Sequence, residues 1–297
     1  MRTLKTREGA RPQRSGPASS SGQSVVPAGA EAQAGGDVVA RAAGNGSVIQ
    51  AQELSFSYAS GSKLILDSLD LDVKEGEIVV FIGPSGCGKS TVLGLIAGML
   101  QPTSGSLECK GSPVKGLNRN VSYMTQKDTL LPWRSALDNA ALPLEIKGMG
   151  KQERYARARE ALASVGLEDA EQLRPHQLSG GMRARLSLAR ALLGETDILL
   201  MDEPFAAVDA LSRMRLQQLL ISLWDATRKT IIYVTHDLDE AINLGHRVVV
   251  MGRNQGIHQE EPIPAPQPRD IAAFKSTPEA RELYATLWSS LESQMKK

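Results

Sequence analysis

Apolar positions along the chain fall into short runs separated by glycine and polar residues, and their spacing changes with position. Leu54 to Tyr58, Leu64 to Val73 and Ile78 to Ile82 are strand-sized, and Leu69, Leu71 and Val73 alternate with polar neighbours as a half-buried strand requires. A glycine-rich loop then opens a helix at Lys89. Between about Leu130 and Leu173 the period lengthens. Tyr155, Ala158, Leu162 and Val165 recur at steps of three and four, which places them on one helix face. Further on, strand-like and helical runs alternate: Ile198 to Met201, Leu211 to Trp224, Thr230 to Val234 and Arg247 to Met251. That alternation predicts a parallel sheet with crossover helices. Pro262, Pro264, Pro266 and Pro268 predict an extended stretch, and Leu283, Leu287 and Leu291 form one stripe of a final amphipathic helix. No internal repeat is present, so one such unit is expected.

Composition changes this picture mainly at the N-terminus. Residues 1 to about 46 run from Arg2, Arg7, Arg11 and Arg14 into sequence rich in Ala, Gly and Ser. Such a segment buries too little apolar surface to offset its ordering entropy, so a disordered tail is expected. A transit peptide or a basic arm on anionic lipid is the alternative. The 297 residues are 41% hydrophobic and 23% charged, with a formal net charge of +1, which gives no reason to expect a nucleic-acid partner. No apolar run approaches the ~18 residues of a membrane helix. Two cysteines, Cys87 and Cys109, are too few for a disulfide scaffold or a metal cluster, and a reducing cytoplasm fits them best.

Candidate chemistry is concentrated at strand ends. Gly83-Pro84-Ser85-Gly86-Cys87-Gly88-Lys89-Ser90-Thr91 matches G-x-x-x-x-G-K-[ST] between a predicted strand and a predicted helix. Glycines let the backbone curl its N–H groups towards phosphate oxygens, and the helix start adds the positive end of its dipole. Lys89 supplies a point charge for the β- and γ-phosphates, and the Ser90 hydroxyl suits Mg²⁺. Cys87 lies inside this loop, so thiol modification is expected to block nucleotide binding. Ile198 to Asp202-Glu203-Pro204 is an apolar strand delivering two acids at its C-terminal end. One acid can hold the metal's water shell and the other can polarise an attacking water. His236 follows another apolar strand. By itself a strand-end His is more often packed or merely exposed.

Leu178-Ser179-Gly180-Gly181-Met182 opens a further helix about twenty residues before the acidic pair. Serine and two glycines at a helix start make a second anion-binding nest, or an ordinary N-cap with Leu186, Ala189 and Leu193 as the buried face. Taken in order with the phosphate loop, Gln126, Asp202-Glu203, Asp209 and His236, this segment resembles the ABC ATPase family across nearly all of residues 47 to 252. The resemblance implies an α/β P-loop NTPase cassette: a RecA-like mixed sheet core, an antiparallel β subdomain and an inserted α-helical subdomain at about residues 128–190. The cassette would occupy residues 47–260, followed by a Pro-rich linker and C-terminal helix over 261–297. It further implies ATP and Mg²⁺ as cofactors and a head-to-tail homodimer with two nucleotides between subunits. Carried over, Tyr58 stacks on adenine and Gln126 links Mg²⁺ and the attacking water to a membrane partner. Asp202 is the Mg²⁺-associated acid, Glu203 the general base, Asp209 the subunit-crossing aspartate and His236 a γ-phosphate contact. Met182 stands where the family commonly has Gln, and Ala206-Ala207-Val208-Asp209 departs from its usual small-residue pattern.

Leu130-Leu131-Pro132-Trp133-Arg134 follows Gln126. Trp133 either caps the helical subdomain's own core or anchors a partner helix. This string closely resembles the nitrate/sulfonate/taurine/bicarbonate branch of bacterial importers. The resemblance implies a permease partner, an extracytoplasmic substrate-binding protein that selects the solute, and a place on the cytoplasmic face of the inner membrane. Two other readings stand beside it: an ABC ATPase without transport, such as a cluster-assembly factor, and a nucleotide-binding module without catalysis.

Overall fold

The structure is a computed structural model that describes residues 46–58, 63–252 and 256–295. The N-terminal segment expected to be disordered lies outside the described residues up to position 45. Two sheets organise what is described. The first is antiparallel, with strands β1 (Ser47–Phe56), β2 (Leu66–Lys74), β4 (Ser104–Cys109) and β5 (Ser112–Pro113) in the order β2-β1-β4-β5. The second holds β3 (Ile78–Ile82), β6 (Val121–Met124), β7 (Ile198–Asp202), β8 (Thr230–Val234), β9 (Arg247–Met251) and β10 (Ile257–Pro262) in the order β10-β9-β3-β8-β7-β6. All its neighbours run parallel except β10, which is antiparallel to β9 and makes the sheet mixed. Helices α1 (Lys89–Ile96), α2 (Ala136–Ile146), α3 (Lys151–Ser164), α4 (Gly180–Leu192), α5 (Ala210–Thr227), α6 (Leu238–Leu244), α7 (Ile271–Lys275) and α8 (Pro278–Met295) complete the described elements, with two short 3-10 turns before α4.

The central strands are apolar throughout because both faces of the sheet are covered. Ile78, Val80 and Ile82 of β3 point into one cluster with residues of α4, α5, α6 and α8. Val79 and Phe81 point into the other, with α1 and the antiparallel sheet. The two-residue period of a strand divides each run between the two clusters, which explains why β3, β7 and β8 read as continuous rather than alternating. A third cluster, built on Leu137, Leu144, Leu162, Leu186 and Ala189, sits under α2, α3 and the outer face of α4. The amphipathic face expected of α4 (Leu186, Ala189, Leu193) is buried in this cluster, and Ala184 and Leu188 bury a second face in the main core.

One expectation needs correction at the C-terminal end. The proline-rich stretch does not separate a linker from the body. Pro262 ends β10, and the residues after it bend back into the main core, to which Ile263, Phe274, Leu283 and Leu287 all belong. Gln267 and Arg269 fasten the stretch by donating to the carbonyls of Asn243, Leu244, Ile242 and Gly245 at the end of α6. Those carbonyls would otherwise be unpaired at a buried helix end. The leucine stripe of α8 faces this core as the sequence predicts.

His246 sits in the same region, with its ring against Trp224 and its Nδ1 accepting from the Ile78 N–H at 3.0 Å. Burial, reinforced by the Arg269 guanidinium, pushes its pKa down to about 4. As pH falls below about 6.5 the unfolded chain takes up a proton that the folded chain refuses until about pH 4. The stabilising difference is therefore complete above the ordinary histidine range and is lost between those two values. Replacing His246 with Asn, whose Oδ1 can take over the Ile78 contact, is expected to remove roughly 2 kcal/mol of this acid sensitivity. Urea unfolding of both proteins at about pH 7.5 and about pH 4.5 measures the difference.

Candidate active site

Parallel pairing decides which residues meet. Phe81 aligns with Val234, Val234 with Asp202, and Met201 with Met124. The residues just beyond these positions (Gly83, His236, Glu203 and Gln126) therefore emerge together at the carboxyl edge of β3, β8, β7 and β6, where open α/β sheets bind ligands.

The loop from Gly83 to Gly88 leaves β3 and enters α1. A side chain at Gly83 would place its Cβ 2.6 Å from the Met251 carbonyl oxygen, and one at Gly88 would meet the Leu66 side chain at the same distance. Gly88 also adopts a left-handed φ of 105°. Neither position admits another residue without a shift of the backbone or of packed neighbours. No side chain caps the start of α1, whereas Ser135, Ser179, Asp209, Asp237 and Asp270 cap α2, α4, α5, α6 and α7. The leading N–H groups of α1 are thus left to the loop, which suits an anion. Lys89 is buried, and its ammonium donates to the carbonyls of Gly83 (2.8 Å) and Pro84 (3.0 Å), holding a positive charge across the loop.

Cys87 does not present its thiol to solvent. It is 4% exposed, 3.8 Å from the Lys89 ammonium, and burial pushes its pKa up. The sequence-based expectation that labelling blocks binding stands only for label that gets in. Alkylation at neutral pH is expected to run about tenfold or more slower than in the unfolded chain. Timed labelling read by mass spectrometry, with ATP binding assayed on the labelled fraction, checks both halves.

The acids at the end of β7 have different surroundings. Asp202 is buried, accepts from the Ser90 hydroxyl at 3.0 Å and takes a longer contact of 3.4 Å from the Tyr123 phenol. Burial, helped by the neighbouring Glu203 charge, raises its pKa against the opposing effect of those hydrogen bonds. Glu203 has a positive φ of 44°, unusual for a non-glycine residue, and its N–H is tied to the Val234 carbonyl at 2.9 Å. That bend separates its carboxylate from that of Asp202. One Glu203 oxygen, Oε2, is reached by Gln126 Nε2 (3.1 Å) and by His236 Nδ1 (3.2 Å). Residues from two other strand ends thus converge on the Glu203 carboxylate.

Hard oxygen donors at Ser90 and Asp202, with a half-desolvated acid pair behind them, fit a magnesium ion that keeps most of its water and shares phosphate oxygens. Among the described residues no cluster of three or more His, Cys, Asp or Glu exists that would build an all-protein metal cage. The donor set is thus complete only when a phosphate contributes.

The remaining predicted site residues lie apart from this centre. Tyr58 is 68% exposed, with its ring edge-on to Phe56 at 5.0 Å. Ser179 caps α4 by accepting from Met182 N, which leaves its hydroxyl proton free for another acceptor. Gly180 and Gly181 lie against Ala207, Val208 and Ser212, not against the phosphate loop. Asp209 caps α5 through Ser212 N and is exposed. Trp133 is 69% exposed and belongs to no buried cluster, so the reading in which it caps the helical subdomain's core is wrong. Sequence reasoning missed Tyr123, because its short strand β6 gave no clear alternation.

A nucleotide-hydrolysing P-loop cassette is the class of protein that this fold and site define. The model of the ABC transporter family matches residues 66–206. A taurine import ATP-binding protein of Pseudomonas aeruginosa is 48% identical over 202 residues, 68% of this chain and 77% of its own length. An uncharacterised ABC transporter ATP-binding protein of Methanocaldococcus jannaschii is 43% identical over 221 residues, covering 74% of this chain and 83% of the relative. Among solved structures, the dimeric post-hydrolysis state of the ATP-binding cassette MJ0796 bound to ADP and Pi matches with a TM-score of 0.66 at 32% identity. It covers 73% of this chain and 99% of that one. The chain belongs to the family of ABC transporter ATP-binding proteins. It is an ATP-binding and ATP-hydrolysing subunit, and cassettes of this kind act as dimers with membrane permeases. No helix among the described residues is long and apolar enough to cross a membrane.

Proposed function

We propose that this subunit powers uptake of a small sulfonate-type anion, working as a homodimer on a permease at the cytoplasmic face of the inner membrane. An extracytoplasmic binding protein would choose the solute. The observation that carries the solute class is the run of relatives named taurine import ATP-binding protein, from Pseudomonas aeruginosa, Rhizobium johnstonii and Sinorhizobium fredii, at 48%, 48% and 42% identity. Disruption of the gene should abolish growth on taurine as sole sulfur source and leave growth on sulfate intact. Equal growth on taurine, or a defect confined to nitrate, would contradict the assignment.

In the proposed cycle the adenine rests on Tyr58, while the loop Gly83–Ser90 and Thr91 enclose the phosphates. Lys89 exchanges its two neutral carbonyl partners for charged phosphate oxygens, which pairs its ammonium with an anion. Ser90, Asp202 and Gln126 hold the Mg²⁺ shell. The ion would neutralise phosphate charge as the terminal bond breaks. Glu203 accepts a proton from the attacking water. Gln126 and His236, which touch the same Glu203 oxygen, orient that carboxylate, and His236 also contacts the terminal phosphate. Ser179, Gly180 and Gly181 complete the partner's nucleotide site, and Asp209 crosses between subunits.

In this assignment residues 47–260 carry the cassette chemistry and about 128–190 the helical subdomain. The segment 261–297 braces the sheet from behind and supplies no site residue.

A further inference from the structure

His236 is poorly supported by packing. Its side chain is 66% exposed, and its ring is held against Glu203 by one contact. What fixes it is the short loop from β8 to α6, and that loop is anchored on both sides. Before it, Thr235 donates its hydroxyl to the Glu240 carboxylate at 2.6 Å. After it, the Asp237 N–H returns to the same Thr235 oxygen at 3.0 Å, and the Asp237 side chain caps α6. Glu240 is 5% exposed and also accepts from the Tyr233 phenol (3.2 Å) and the Gln217 amide (3.3 Å). A carboxylate this deep is costly to keep unless a cation and several donors meet it.

The cation is Arg213, near the start of α5. Its guanidinium reaches the Asp237 carboxylate at 3.3 Å, lies 4.0 Å from Glu240, and donates to the Val208 carbonyl at 3.0 Å. One planar side chain therefore bonds both the loop that carries His236 and the turn that leads into Asp209, with its Nε set beside the acid beneath them without a hydrogen bond to it. Arginine's fixed fork can hold such a three-way geometry, and a lysine point charge cannot.

We propose that Arg213 and Glu240 are positioning residues for hydrolysis: a bracket that holds His236 in register with Glu203 and ties that register to the Val208–Asp209 turn. The bracket touches neither nucleotide nor water. It rests on the reading of His236 given above, and it adds that the Asp209 turn and the His236 loop move as one body.

Steady-state ATPase and ATP-binding measurements on the full-length chain test it. Arg213→Gln is expected to lower kcat about tenfold at temperatures well below unfolding, since small misplacements of a reacting group have effects of this order or larger, with KM for ATP little changed and the melting temperature lowered because the buried Glu240 loses its cation. Arg213→Lys should recover part of the rate, and Glu240→Gln, which keeps the shape, should resemble Arg213→Gln. In a His236→Ala background Arg213→Gln should cause no further loss, because the group that it positions is gone. Multiplying losses in the double variant, or a kcat that falls only in step with melting temperature, would overturn the bracket and leave a stability role. His236→Ala alone separates the two readings. A wild-type rate there removes the role of His236 and this proposal with it. A slow His236→Ala enzyme beside an undiminished Arg213→Gln enzyme overturns the bracket alone.

Discussion

Glu203→Gln is expected to bind ATP normally and to release phosphate about 100-fold more slowly, or slower still, the usual scale for removing a general base. The amide keeps the size of the carboxylate and one oxygen for Gln126 and His236, whose contacts at 3.1 and 3.2 Å therefore need not be lost. What disappears is the proton acceptor. The side chain is aimed by a backbone bend with φ of 44° and by the Val234 carbonyl, neither of which depends on charge. The melting temperature should therefore move little. Unchanged phosphate release would remove Glu203 from the base role, and the acid beside it, Asp202, is too buried and too tightly held by Ser90 to substitute.

Lys89→Ala is expected to weaken ATP binding by about 10- to 100-fold, the loss of a charge-assisted contact to phosphate. In the nucleotide-free chain the ammonium is satisfied by the Gly83 and Pro84 carbonyls. Removing it vacates a space in which water can take over the two acceptors, so folding should survive. Equilibrium titration with a fluorescent ATP analogue measures the change. Affinity equal to wild type would show that the loop's N–H groups and the α1 terminus carry the binding without the lysine.

Much of this site can be read from the sequence because its residues are local to strand ends. Ile78–Ile82 and Thr230–Val234 have the same bounds in the structure as in the hydrophobic pattern, since strands covered on both faces leave no polar residue to blur their limits. The phosphate loop and His236 follow directly from them. The edges of the sheet are less legible. Strand β6 has four residues, mostly half-buried, and β10 reads Ile-His-Gln-Glu-Glu-Pro, whose polar character suits an edge but hides it from a hydrophobicity pattern. Missing β6 meant missing Tyr123 as a partner of Asp202. The proline-rich stretch misled for a related reason. Four prolines describe local backbone, whereas Gln267 and Arg269, two ordinary polar residues, fasten the stretch to the end of α6 through contacts some two dozen positions away. Trp133 could not be placed from sequence because a tryptophan beside a proline suits a core and an interface equally well. The structure leaves it exposed.

The account stands on two anion-binding half-sites in one chain, each completed by a second copy: the phosphate loop with Lys89, and the Ser179–Gly181 start of α4, whose glycines lie against Ala207, Val208 and Ser212. Sedimentation of the Glu203→Gln protein with and without Mg-ATP tests this most directly. The expected result is a monomer without nucleotide that becomes a dimer retaining two ATP molecules. A saturated, ATP-bound monomer at high protein concentration would contradict it.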